Sequence, residues 1–165
     1  MNLSYSSKHQ NLAGEHPLND LGQLILFLAL VLVIVLDVFL FKFSNKIIGK
    51  LPWIIAAPLF FIFFKIGSYF ILKSHKIIFK ETEKEIGVVT SGVFHIVRHP
   101  MYFGSVFLFF SFVVLSSSIL AFLIWLLICL FYYFMSRYEE KLLINKFGNK
   151  YKEYQKRVPM ILPFL

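Results

Sequence analysis

Apolar positions along this chain form long, nearly unbroken runs, unlike the stripe of a half-buried helix or the alternation of a strand. Leu21–Phe41 is interrupted only by Gln23 and Asp37, and Pro52–Leu72 carries Lys65 as its one charge. Each run is about twenty residues, enough for a helix to cross a hydrocarbon core of roughly 30 Å. A third run, Met101–Met135, is too long for one crossing and too short for two full ones with a loop. Ser116-Ser117-Ser118 breaks it near the middle. It predicts a tight helical hairpin of two short or tilted helices, Met101–Leu115 and Ile119–Met135. Between the second and third runs, residues 73–100 read as a mixed-charge loop that includes Gly87 and Gly92, a pair suited to tight turns. Past the hairpin, Glu139–Phe147 continues as a charged helical extension stopped by Gly148-Asn149. A tail rich in Tyr and Lys follows, ending in a Pro-flanked segment.

The pattern therefore predicts an all-α integral membrane protein with about four transmembrane helices, the last two a hairpin, and a cytosolic C-terminal helix and tail. Composition agrees. Of 165 residues, 58% are apolar and 21 are Phe, more apolar surface than a soluble domain of this size can hide. The length fits a single domain, 1–165, with a polar segment 1–20, two helices within 21–72 and a cofactor-binding and catalytic region over 86–165. The polar opening and the length of the first apolar run point to a retained anchor instead of a secretory signal.

The net charge is +8. In a soluble chain this balance would suggest nucleic acid, but here the basic residues flank apolar spans, where they set topology and meet anionic headgroups. With the N-terminus inside, only Lys42, Lys46 and Lys50 fall on the outer side. Lys73, Lys76, Lys80, Lys84, Arg98 and the basic tail from Arg137 to Arg157 fall on the inner side. Both termini are thus expected to be cytoplasmic, where soluble nucleotide-derived cofactors are available. Cys129, the single cysteine, excludes an internal disulfide and a cysteine cage and reads as a packing residue. His75 and His95 lack partners at ligand spacing, so no metal site is expected.

Two polar clusters remain. In Arg98-His99-Pro100-Met101-Tyr102-Phe103-Gly104, Pro100 suits the first turn of a helix, whose free N–H groups seat a carboxylate or phosphate. His99 and Tyr102 add donors and a flat surface for a ring, and Gly104 admits a close neighbour. The plainer reading is an interfacial anchor, with Arg snorkelling and Tyr in the aromatic belt. Glu139 and Glu140 diverge by roughly 100° on a helix, so one can face a site while the other faces water or pairs with Arg137, Lys141 or Lys146. Arg157 lies in the polar tail, either at headgroup phosphate or as a clamp for a substrate carboxylate. Within the spans, Asp37 is placed to contact outer-face water and Lys65 to reach towards the inner face, with their depths too different for a pair.

In order along the chain, the stretch Val88–Gly104 with its Arg-His-Pro core, Glu139-Glu140, Phe147-Gly148, and Tyr151–Pro159 with Leu162-Pro163-Phe164 resemble the isoprenylcysteine carboxyl methyltransferase family. That family lies within a wider group of membrane methyltransferases that includes phospholipid N-methyltransferases. The resemblance covers about half the chain, residues 86–165. It implies S-adenosylmethionine-dependent methyl transfer at the cytosolic membrane surface, to a lipophilic small molecule or lipidated substrate drawn from among the membrane lipids. Its cofactor-pocket positions correspond to Val88, Val89, His99, Pro100, Met101, Tyr102 and Glu139, with Arg157 near the reaction centre. Arg137 is the other candidate carboxylate clamp, and Glu140 (or His99) the candidate base for an amine acceptor. Two departures stand out: Met135 where the family often has a substrate-side arginine, and Phe94 where it often has tyrosine. Carboxyl O-methylation of an isoprenylcysteine-like acceptor leads. Phospholipid or amine N-methylation, a non-enzymatic membrane scaffold and a nicotinamide-dependent membrane reductase are the alternatives.

Overall fold

The computed structural model describes residues 18–82 and 87–161, with the side chains of 18–20 and 79–82 left aside. Every element is helical. Helix α1 spans Leu18–Val35 and runs into a π-helical turn, Leu36–Phe41. A short α2 (Phe43–Ile47) is followed by α3 (Trp53–Thr82), a 3₁₀ turn (Gly92–His95), α4 (Pro100–Ser116), α5 (Ile119–Phe147) and α6 (Asn149–Arg157). The stretches Leu21–Phe41, Trp53–Ile78 and Ile119–Phe147 are each long and apolar enough to cross a membrane, and α4 is a shorter apolar helix of 17 residues. The outward faces carry Leu24, Ile25, Phe61, Ile62, Leu123 and Leu127, as expected of helices whose solvent is lipid.

Helix α3 lies along α4, and two glycines set how close the pair comes. A Cβ on Gly104 would stand 2.7 Å from the carbonyl oxygen of Gly67, and one on Gly67 would stand 2.6 Å from the amide nitrogen of Leu108. The backbones therefore touch, as small residues allow between membrane helices. Phe63, Phe70, Phe103, Phe107 and Phe110 close the seam on either side. Helix α1 packs chiefly on α5, and the shared core contains Leu30, Tyr102, Val106, Val113, Ala121, Ile128 and Tyr132.

The serine break forms as expected. Ser117 adopts a left-handed conformation (φ 51°) and Ser118 caps α5 by accepting from the Ala121 amide at 3.0 Å. Two expectations need correction. The region after Leu72 is not loop from residue 73 onward, because α3 continues to Thr82 without a proline or glycine to stop it. Asp37 does not contact outer-face water. It is 1% exposed, and its carboxylate accepts from the Ser44 amide (3.0 Å) and from the hydroxyls of Ser44 and Ser118. The π-helical turn brings the acid to these donors, which replace its hydration. Lys65 is exposed on α3.

Candidate functional site

At the opposite pole, Pro100 occupies the first position of α4, and no side chain caps that first turn. The chain just before it is tied to the C-terminal tail. The Arg98 amide donates to the Pro159 carbonyl at 2.9 Å, and the His99 amide to that of Met160 at 3.0 Å. The Arg98 side chain repeats the tie. Its Nε donates to Glu140 Oε1 at 2.6 Å, and a terminal nitrogen donates to the carbonyl oxygens of Gln155 (3.0 Å) and Val158. Gln155 Nε2 fills the other Glu140 oxygen at 2.9 Å. One guanidinium thus joins the entry of α4, the far end of α5 and the close of α6.

His99 sits in the fork between the two acids. Its Nδ1 is 3.4 Å from Glu139 Oε2, and its Nε2 is 3.6 Å from Glu140 Oε1. The divergence of adjacent residues on a helix lets both carboxylates reach one ring, from two sides. Burial pulls the imidazole pKa down, but the two carboxylates of Glu139 and Glu140 beside it outweigh that, and the value is raised above the ordinary histidine range. Tyr102 donates its hydroxyl to Glu139 Oε1, and its ring stacks on His99 (5.7 Å, 8°) and on Tyr132 (5.0 Å, 26°). Beneath the cluster, Tyr151, Tyr154 and Val158 of the tail pack against Val88, Leu143, Ile144 and Phe147. Burial pushes both tail tyrosines well above the usual phenol range, so they stay neutral. The Tyr154 hydroxyl donates to the Phe94 carbonyl.

A family model described as phospholipid methyltransferase matches residues 53–150, more than half of the chain. The chain belongs to the phospholipid methyltransferase family. Two curated proteins show the same relationship. Protein-S-isoprenylcysteine O-methyltransferase B of Arabidopsis thaliana is 38% identical over 86 residues, covering 50% of this chain and 43% of that protein. Methanethiol S-methyltransferase of Pseudomonas deceptionensis is 38% identical over 76 residues, covering 46% and 28%. The chain thus spans less than half the length of either relative. No solved structure matches it significantly.

In this phospholipid methyltransferase family member, the fold gathers His99, Pro100, Tyr102, Glu139 and Glu140 into one buried cluster, with Met101 and Val89 half-buried in the segments that carry it and Val88 packed on the tail. The two arginines named as clamps stand elsewhere. Arg137 is exposed on α5, and exposed Arg157 turns its Nε to the Glu153 carbonyl of its own helix at 3.2 Å. Glu140 pairs with Arg98 in place of Arg137, Lys141 or Lys146. From sequence, Arg98 has only an anchor's part within its polar cluster and Gln155 has none of its own. Arg98 lies inside the motif, yet nothing in its spacing reveals that its partners lie 42 to 60 positions downstream.

Proposed function

We propose that this protein transfers a methyl group from S-adenosylmethionine to a lipophilic acceptor reaching it from the bilayer, at the cytoplasmic surface. The observation that carries the reading is the meeting of the α4 N-terminus with Glu139 and Glu140 in one buried polar cluster. The donor set fits that cofactor. The uncapped first turn of α4 suits an amino-acid carboxylate, and Glu139 suits an amine or ribose hydroxyl. Val88 and Val89 supply apolar walls. When bound, S-adenosylmethionine supplies an electrophilic methyl on a sulfonium centre. The chain's own part is to align, to exclude water and to hold Glu139 at a fixed position through Tyr102 and His99.

Carboxyl O-methylation of an isoprenylcysteine-like acceptor is the leading form of the reaction, in line with the plant relative's name. A carboxylate is ionised near neutral pH and needs no base. Its clamp would be Arg157 or Arg137, swung inward from the exposed positions they hold. Those exposed positions favour a second reading, an amine or thiol acceptor that needs no cationic clamp. Glu140, held by Arg98 and Gln155, makes a poor base for an amine, and its role is to fix the cluster.

Purified protein incubated with methyl-labelled cofactor and a membrane lipid extract should move label into the lipid phase. Label released by mild base marks a methyl ester, and base-stable label marks transfer to nitrogen or sulfur. Folded protein that moves no label into any lipophile, and is stabilised by a nicotinamide cofactor instead, would sink the proposal. Glu139→Gln should weaken cofactor binding at least tenfold, a loss of about 1.4 kcal/mol, while its melting temperature stays near wild type.

A further inference from the structure

Two side-chain atoms at this pole are sealed from solvent and have no hydrogen-bond partner in the protein, His99 Nε2 and Ser136 Oγ. His99 is 7% exposed and Ser136 is fully buried. Polar groups so deeply buried are nearly always satisfied, by protein or by ordered water. The two atoms belong to facing elements. On α5, Tyr132, Ser136 and Glu140 recur every fourth residue and make one buried stripe. Across from it, Tyr102 stacks on Tyr132 and the His99 ring lies beside Glu140. Ser136 therefore stands at the level between these two contacts, at the step from Tyr102 to His99. The gap from Nε2 to Glu140, 3.6 Å, is too long for a hydrogen bond, and Ser136 lies one helical turn from Glu140 on the same buried stripe.

We propose that Ser136 Oγ and His99 Nε2 share one internal water, and that Ser136 is through it a positioning residue for the imidazole. The water accepts from the Nε2 hydrogen and donates to Ser136 Oγ, within the two to four partners typical of buried water. With Nδ1 beside Glu139, both ring nitrogens are then engaged and the ring is held parallel to that of Tyr102. The ionisable groups around it are Glu139 and Glu140 from α5 and Arg98 and Tyr102 from its own segment, with Tyr151 and Tyr154 of α6 behind Glu140. This inference rests on burial and facing alone, independent of the methyl-transfer reading.

The test is a histidine titration by nuclear magnetic resonance on full-length protein in lipid nanodiscs, with labelled histidine. Ser136→Ala should lower the His99 midpoint by about one pH unit, because the water holding the charged form loses its anchor. Ser136→Thr should restore it. Ser111→Ala should leave it unmoved, since that buried hydroxyl bonds only the Leu108 carbonyl of its own helix at 2.6 Å. A Ser136→Ala midpoint equal to wild type, or one matched by Ser111→Ala, overturns the proposal. Should Ser136→Ala fail to fold, the wild-type protein decides. A magnetisation-transfer peak between the His99 Nε2 hydrogen and a long-lived water supports the site, and its absence rejects it.

Discussion

Arg98 carries more of this site than its partial burial suggests. It satisfies an acid on α5 and two backbone carbonyls at the close of α6, and its loss would strip that donor from both carbonyls and leave Glu140 with the Gln155 amide. Breaking a buried ion pair by removing one partner costs about 3–5 kcal/mol. Arg98→Gln is therefore expected to lower the melting temperature strongly in detergent, and Arg98→Lys to recover only part of the loss, because an ammonium lacks the planar fork. His99 makes a second, separable prediction. Its folded pKa is raised above the unfolded value of about 6.5. The stability it contributes is thus fully present below that unfolded value and is lost as pH rises through the folded one. Wild-type melting temperature should fall over this window, and His99→Gln should lack that component of the slope. The two acids were legible in the sequence as a pair on a helix. Their convergence on His99 was not, because it depends on a ring supplied by another helix.

At the scale of elements, helix ends marked by local chemistry were read well, and ends set by distant partners were not. Pro100 starts α4, Ser118 caps α5 and Gly148, at φ 56°, stops it, each by its own backbone or side chain. The charges of residues 73–82 hide the extension of α3 to Thr82, although no breaker stands before Gly87. The π-helical turn at Leu36–Phe41 answers to Ser118, 81 positions on from Asp37, which no local pattern announces. The α3–α4 seam was half legible. Gly104 was expected to admit a neighbour, but Gly67 as that neighbour was not foreseen. Gly104→Ala should force the two backbones apart and cost about 1–3 kcal/mol, as overpacking of a tight contact does. Thermal unfolding measures the loss. Gly87→Ala is the matched control for lost space, since nothing lies within 4 Å of its added carbon.

Among the described residues, the buried polar networks gather at two poles separated by the length of α4, roughly 25 Å. One pole holds Asp37, Ser44, Ser117 and Ser118, and the other holds the Arg98–Glu140 cluster. The first is a fastener for the helix ends, so Asp37→Asn should reduce thermal stability by about 1–3 kcal/mol. On the proposed reading, the folded variant's affinity for S-adenosylmethionine, measured by titration, should stay at the wild-type level, because sites this far apart with no shared partners are close to additive. An affinity loss in that variant would mean that the poles communicate through the bundle.

The backbone ties from Arg98 and His99 to Pro159 and Met160 have a consequence for biosynthesis. During translation α1, α3 and α4 are made before residues 155–160. Arg98 and His99 therefore keep water as their partner until the last turn of α6 folds back and shuts the pole. A chain lacking residues 155–160 would leave the Arg98 and His99 amides and the Arg98 guanidinium without their tail carbonyls.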